Sequence, residues 1–218
     1  GNPVIDKSEF VLSLFEQLDK KGVSAKEKSI IDRCTAAVYD DYQRGGNIPT
    51  LCVLRDKILE QPEREAQDLA LELELFTSGT LDAFAHESNV DVKNRMVVYD
   101  ILDLGKQLKT MGLLVITDAM LNRVTENWKL GKRTHIFLDE FHVVFENEYS
   151  GAFFNSAWRR FRKRNAYPNA ITQNVDYLLD SVLARTMLSN SEYIVMLNQA
   201  APDREKLAQL LNISNEQM

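Results

Sequence analysis

Residues 134–142 read THIFLDEFH, a short apolar run that closes on Asp139 and Glu140 with His142 two positions further on. The run has the composition of a buried strand, and in an open parallel α/β sheet the residues just beyond a strand's carboxyl end project into the ligand crevice. Two adjacent carboxylates repel each other there unless a cation meets them. Magnesium carried on a nucleotide triphosphate is such a cation: Asp139 would hold the ion, largely through water, and Glu140 would orient an attacking water, the arrangement of a Walker B element. An acid pair that ends a strand in solvent, or caps the next element, accounts equally well for so short a pattern taken alone.

Two further stretches carry polar residues suited to the same chemistry. ITQN puts Thr172 and Gln173 at the end of the strand expected there, where a neutral amide can hydrogen-bond a phosphate or its water without adding a charge. VMLNQ ends in Asn198 and Gln199. His142 stands close enough in sequence to sense or carry a proton, although a histidine making a structural hydrogen bond at a helix start is commoner. His135, inside the strand, reads as a core or edge residue and His86 as a loop residue. WRRFRKR at 158–164 gathers Arg159, Arg160, Arg162, Lys163 and Arg164. Trp158 and Phe161, three apart, would pack inward and leave most of those cations in solvent.

The elements that must position these groups change character near residue 90. Before it the apolar spacing is helical. Phe10, Leu12, Leu14, Phe15 and Leu18 mark one helix, and Ser24 with Glu27 forms a capping signal for a second that runs to about Gln43. Thr50 caps a third through Leu59, and Pro62 opens a fourth bearing Leu69, Leu71, Leu73 and Leu75 before TSGT. Beyond residue 90, strands are expected at RMVVYDI (95–101), THIFLD, NAITQN (169–174) and YIVMLN (193–198). Helices are expected over 104–128, 150–164 and 203–213, with a helical turn in VDYLLDS. The fold expected is α/β, a largely parallel sheet flanked by helices and preceded by an all-helical subdomain, divided as 1–90 and 91–218.

Composition sets the outer bounds. The 218 residues are 44% hydrophobic and 27% charged, enough for a packed core. No stretch approaches the roughly 18 uninterrupted apolar residues of a membrane-spanning helix. The opening GNPVIDKSEF lacks the pattern of a signal peptide, and Gly1 reads as a cloning remnant. Cys34 and Cys52 lack the spacing of a zinc site or a disulfide framework, so buried thiols in a reducing cytoplasm fit them. A net charge of −6 argues against a surface that coats nucleic acid generally, although the basic run is a local exception.

The order of these segments resembles the ATPase domain of VirB-four-type proteins, the conjugation and type IV secretion ATPases of the RecA-like, FtsK/HerA-related P-loop class. The likeness is carried by YDILDLGKQLKTMGLLVITDAMLNRV, GKRTHIFLDEFHVVFENEYSGAFFNSAWRRFRKRN, ITQNVDYLL, ARTMLSNSEYIVMLNQA and DREKLAQLLNIS, from about Met96 to Gln217. It implies a partial RecA-like sheet and ATP hydrolysis with Mg2+, driving pilus assembly or transfer of DNA or protein. Asp139 would bind the metal, Glu140 would be the catalytic carboxylate and Gln173 the phosphate sensor. Arg159, Arg160, Arg162, Arg164 or Arg185 would reach a neighbouring subunit's nucleotide in a hexamer. It further implies partners in the secretion machinery and a cytoplasmic location, associated through them with the inner face of the membrane. One departure is plain: no G-x-x-x-x-G-K-S/T phosphate loop is present, since Gly105-Lys106 and Gly131-Lys132 are followed by Gln and Arg. The chain is therefore expected to be part of a longer protein and inactive by itself. Two other readings remain open, a protein-interaction module of the secretion machine and a nucleic-acid-binding protein acting through the basic helix.

Overall fold

The computed structural model describes residues 3–18, 21–90, 93–101, 103–146, 148–173, 176, 180–197 and 201–211. The chain divides into two compact units, Gly1–Asp118 and Ala119–Met218.

Four helices build the first unit: α1 (Pro3–Leu18), α2 (Ala25–Gln43), α3 (Leu51–Leu59) and α4 (Arg64–Thr77). Their starts are where side chains can satisfy the free backbone donors of a first turn. Ser24 Oγ accepts from Glu27 N–H at 3.3 Å while Glu27 Oε2 accepts from Ser24 N–H at 2.6 Å, a complete capping box at the head of α2. Thr50 Oγ1 accepts from Val53 N–H at 3.2 Å at the head of α3. The fourth helix begins at Arg64, two residues after Pro62, with Glu63 at its N-cap. Helical periodicity then decides which leucines of α4 are inside: Leu69 and Leu73 are buried, whereas Leu71 is 67% exposed. With Phe15, Ile31, Cys34 and Ile58, each wholly buried, they form one continuous apolar core.

The helix expected over 104–128 is α5 (Lys106–Lys129). It ends where Gly131 takes a left-handed φ of +69° and Lys132 N–H donates to Asn127 C=O at 2.8 Å. That exit feeds the second unit, whose elements are β1 (Thr134–Leu138), a 3₁₀ turn over Phe141–Phe145, α6 (Glu148–Lys163), β2 (Ala166–Ala170), α7 (Val182–Ser189) and α8 (Ala201–Leu211). The strands pair in parallel, with Thr134 beside Ala166 and Leu138 beside Ala170. A helix between two parallel neighbours is the connection such a pair requires. Under one face lies a core of Leu121, Val124, Ile136, Phe141, Phe154, Ala157 and Phe161. Phe141, Phe154 and Phe161 meet edge to face at 5.7 and 6.3 Å between ring centres.

The α/β class and the parallel sheet stand, but among the described residues the sheet is smaller than expected and differently bounded. The second strand covers Ala166–Ala170 rather than 169–174. Residues 95–101 form no strand, with Met96 82% and Val98 81% exposed. Residues 193–197 form none either, and their exposure alternates at 87, 40, 84, 42 and 80%. Strand identity requires a second chain segment to take the hydrogen bonds, and among the described residues only β1 and β2 are paired in a sheet. On one face of the sheet Phe137 is 69% and Tyr167 45% exposed, and His135, expected as a core or edge residue, is exposed and stacks on Tyr167 at 5.1 Å. Asn198, Gln199 and most of VDYLLDS lie outside the described residues.

Candidate functional site

Parallel register brings the carboxyl ends of β1 and β2 level. The ladder continues one step past the strands: Ile171 N–H donates to Leu138 C=O at 2.8 Å and Phe141 N–H to Ile171 C=O at 2.9 Å. Asp139 and Glu140 therefore emerge beside Thr172 and Gln173. Between them the chain must turn sharply, and Glu140 does so with φ 48° and ψ 46°. Left-handed backbone is costly for a residue with a Cβ and is kept where surrounding contacts hold it. Here those contacts are on the side chain. Glu140 Oε1 accepts from Gln173 Nε2, and Glu140 Oε2 lies 3.3 Å from His142 Nδ1. His142 Nδ1 in turn lies 3.5 Å from Thr172 Oγ1.

The two oxygens of Glu140 differ. Its side chain as a whole is 42% exposed, yet Oε2 is shielded from solvent and makes no hydrogen bond. A shielded carboxylate oxygen in that condition has capacity left for a water or a cation. Asp139, one residue earlier, is exposed and accepts from Glu140 N–H through Oδ1 at 2.9 Å. Among the described residues no cluster of three or more His, Cys, Asp or Glu side chains could hold a metal. Magnesium bound to a nucleotide takes one or two carboxylates, waters and phosphate oxygens, so Asp139 beside Glu140 fits that ion while a metal requiring an all-protein cage does not fit.

Of the residues expected to act, Asp139, Glu140 and Gln173 are brought together. The arginines of α6 are not brought to them. α6 leaves the strand-end edge and returns the chain to the strand-start edge, where Thr134 N–H donates to Asn165 C=O at 3.3 Å. Arg164 is thus at the opposite edge from Glu140, a strand length of about 17 Å away. Arg159 and Arg162 are exposed, Arg160 and Arg164 half-buried, and Trp158 and Phe161 pack inward as their spacing requires. Arg185 is exposed on α7. Sequence reasoning gave His142 a lesser place, and its approach to both Glu140 and Thr172 depends on the left-handed turn at Glu140, which no residue type announces.

A separate cavity of about 640 Å³ lies in the helical unit between the end of α2 and α3, lined in part by Asp41, Arg44, Asp56, Lys57 and Glu60. Lys57 Nζ bridges Asp41 at 3.5 Å and Glu60 at 2.9 Å, so these charges largely answer one another. It shares no residue with the carboxylate pair.

No protein-family model and no curated protein matches the sequence. Among solved structures the chain is similar to VirB4 of Thermoanaerobacter pseudethanolicus, with a TM-score of 0.78 at 20% sequence identity over 98% of this chain. It spans 62% of that VirB4 chain. At this identity the likeness is one of fold, and the resemblance to VirB-four-type proteins read from the motif order is borne out as a shared fold.

Proposed function

We propose that the chain carries the magnesium-side half of a VirB4-type ATPase site, within a helical subdomain over 1–90 and a RecA-like portion over 91–218. The observation that supports this most directly is the contact of Gln173 Nε2 with Glu140 Oε1 at the level ends of neighbouring parallel strands. In this reading a Mg2+ ion, when bound, would supply the charge that neutralises the phosphates of ATP. Asp139 holds the ion's waters, Glu140 positions the attacking water through the oxygen that Gln173 leaves unused, and Gln173 fixes the Glu140 rotamer and reports on the terminal phosphate. The phosphate cradle, absent from this sequence, comes from polypeptide outside these residues. One exposed cation of α6, or Arg185, serves a neighbouring copy's nucleotide, since the α6 arginines stand away from this chain's own carboxylates. The activity would drive a type IV secretion machine, with other components of that machine as partners.

The test is hydrolysis by a longer natural polypeptide that contains these residues and a phosphate loop. Glu140→Gln is expected to lower magnesium-dependent turnover by about 10²-fold or more while nucleotide binding persists. Asp139→Asn is expected to raise the magnesium concentration required, and the 218 residues alone to show no turnover. Unchanged rates in Glu140→Gln and Gln173→Ala would overturn the assignment.

A further inference from the structure

The carboxylate of Glu140 is flanked on both sides. Gln173 Nε2 donates to Oε1, and on the other side His142 Nδ1 lies 3.3 Å from the shielded Oε2. The two flanking groups are held very differently. Gln173 is exposed, just past the end of β2, and in the reading above its amide also answers to the terminal phosphate. An amide that turns toward a nucleotide loosens its grip on the carboxylate. His142 has no such freedom. It belongs to a 3₁₀ turn, in which residues three apart share a face, and Phe141 and Val144 on either side of it are buried. Phe141 N–H donates to Ile171 C=O at 2.9 Å, and its ring packs on Phe145, Phe154 and Trp158. Val143 N–H donates to Glu140 C=O at 2.9 Å, closing the turn back on the carboxylate residue itself. The half-buried imidazole is therefore carried by the packed core at a set distance from Glu140.

Chemistry narrows what Nδ1 can do there. It lies 3.3 Å from Glu140 Oε2 and 3.5 Å from Thr172 Oγ1, and it carries one proton or none. With a proton, it donates to a carboxylate oxygen, which can only accept. Without one, it sets a lone pair against Oε2 and accepts from Thr172 Oγ–H. The charged acceptor is both the stronger partner and the nearer one. A carboxylate offers about four acceptor sites, so a donor on Oε2 leaves room for a water on the same group.

We propose that His142 is a positioning residue for Glu140: its Nδ1–H holds Oε2 as Gln173 holds Oε1, and it keeps the carboxylate aimed when Gln173 engages the phosphate. The inference rests on the assignment of Glu140 as the catalytic carboxylate. A separation of 3.3 Å is long for a charge-assisted bond, and catalytic contacts of this kind tighten as the substrate complex forms.

Two measurements test it. The first needs no activity. Nuclear magnetic resonance of isotope-labelled histidine in the 218-residue chain, at a pH of about 8 where an ordinary imidazole is neutral, reports which ring nitrogen holds the proton. The signal that vanishes in His142→Asn belongs to this residue. A proton on Nδ1 is expected, with that preference lost in Glu140→Ala; Nδ1 without a proton, or a preference that survives Glu140→Ala, would overturn the proposal. The second is hydrolysis by the longer polypeptide that includes a phosphate loop. His142→Ala is expected to lower kcat about tenfold or more with KM for ATP little changed, because aim matters in the transition state rather than in nucleotide binding. His142→Asn, whose amide nitrogen is two bonds from Cβ as Nδ1 is, should recover most of the rate, and His142→Leu none of it. In a Glu140→Gln background His142→Ala should cost nothing further, since the two act as one unit. Far-UV circular dichroism confirms that each variant is folded, and the Asn and Leu pair carries the test if the Ala variant is not. Equal rates in Asn and Leu variants, or losses that add in the double variant, would mark a merely structural histidine and overturn the proposal. If Glu140→Gln is slow while His142→Ala keeps the wild-type rate, this inference alone falls; if Glu140→Gln is itself unimpaired, the site assignment falls with it.

Discussion

The bundle of α1–α4 and the sheet of β1 and β2 are built from equally apolar segments, and they differ in what those segments need in order to close. A helix satisfies its backbone internally and needs neighbours only for its apolar stripe. Four helices suffice, and Phe15, Ile31, Ile58 and Leu73 have no exposed surface. A strand satisfies its backbone only through another strand. The second unit accordingly buries the face under α6, where Phe154 and Phe161 are inside, and leaves Phe137 and the segment 193–197 in the open. Apolar composition forecasts burial in the bundle and fails to forecast it in the sheet.

The sharpest test of that contrast is to empty one buried ring in each unit. Phe15→Ala and Phe161→Ala each remove a side chain with no exposed surface and are expected to cost about 3–5 kcal/mol. Urea denaturation followed by tryptophan emission reads the second unit directly, because Trp128 and Trp158 both lie there. If Phe161→Ala lowers that transition while Phe15→Ala leaves it in place, the two cores are separate folding units; equal shifts from both would make them one.

A lesser effect probes the bundle through its own titration. Burial, helped by the nearby Asp118 carboxylate, pushes the Tyr39 phenol up to about 12. The unfolded chain releases that proton near the ordinary value of about 10, so above it the folded state holds more protons than the unfolded one. Tyr39's contribution to stability is complete below pH 10 and is lost as the pH rises from 10 toward 12. Denaturation midpoints over that range should fall less steeply in Tyr39→Phe than in the wild type.

Smaller again is the loss of one cap. Ser24→Ala removes the acceptor for Glu27 N–H and the reciprocal geometry of the capping box, an expected cost of about 1 kcal/mol. Ser24→Asp keeps an acceptor at that position and should recover most of the loss; failure to do so would mean that the box matters less than the packing of α2.

What could be read from the sequence follows the same division. The caps at Ser24 and Thr50 and the stripe that sorts Leu69 and Leu73 from Leu71 are local signals, and local signals are what a helix is made of. The carboxylate pair was legible because an apolar run that stops at Asp139 and Glu140 marks a strand end on its own. Residues 95–101 and 193–197 have strand composition, yet whether they become strands depends on segments far away in the chain. The start of β2 was missed because Pro168 speaks against a strand. The register shows why it is tolerated: its missing N–H faces the open edge, while Asn169 Nδ2 donates across the ladder to Ile136 C=O at 3.1 Å.

The smallest expected effect is the most pointed. Phe137→Ala truncates a residue of the same type as Phe161, on the strand at the centre of the candidate site, where hydrophobicity alone would forecast a loss of several kcal/mol. Exposure forecasts otherwise. A side chain 69% exposed surrenders little contact with protein when it is shortened, so the change should stay within about 0.5 kcal/mol of the wild type in dilute monomer. Run beside Phe161→Ala at the same concentration, it isolates burial from residue type. A cost near that of Phe161→Ala would mean that the outer face of the sheet is covered in solution, and a cost that grows with protein concentration would place the cover in a second molecule. Either result would close the gap between the two regions from the side of the sheet.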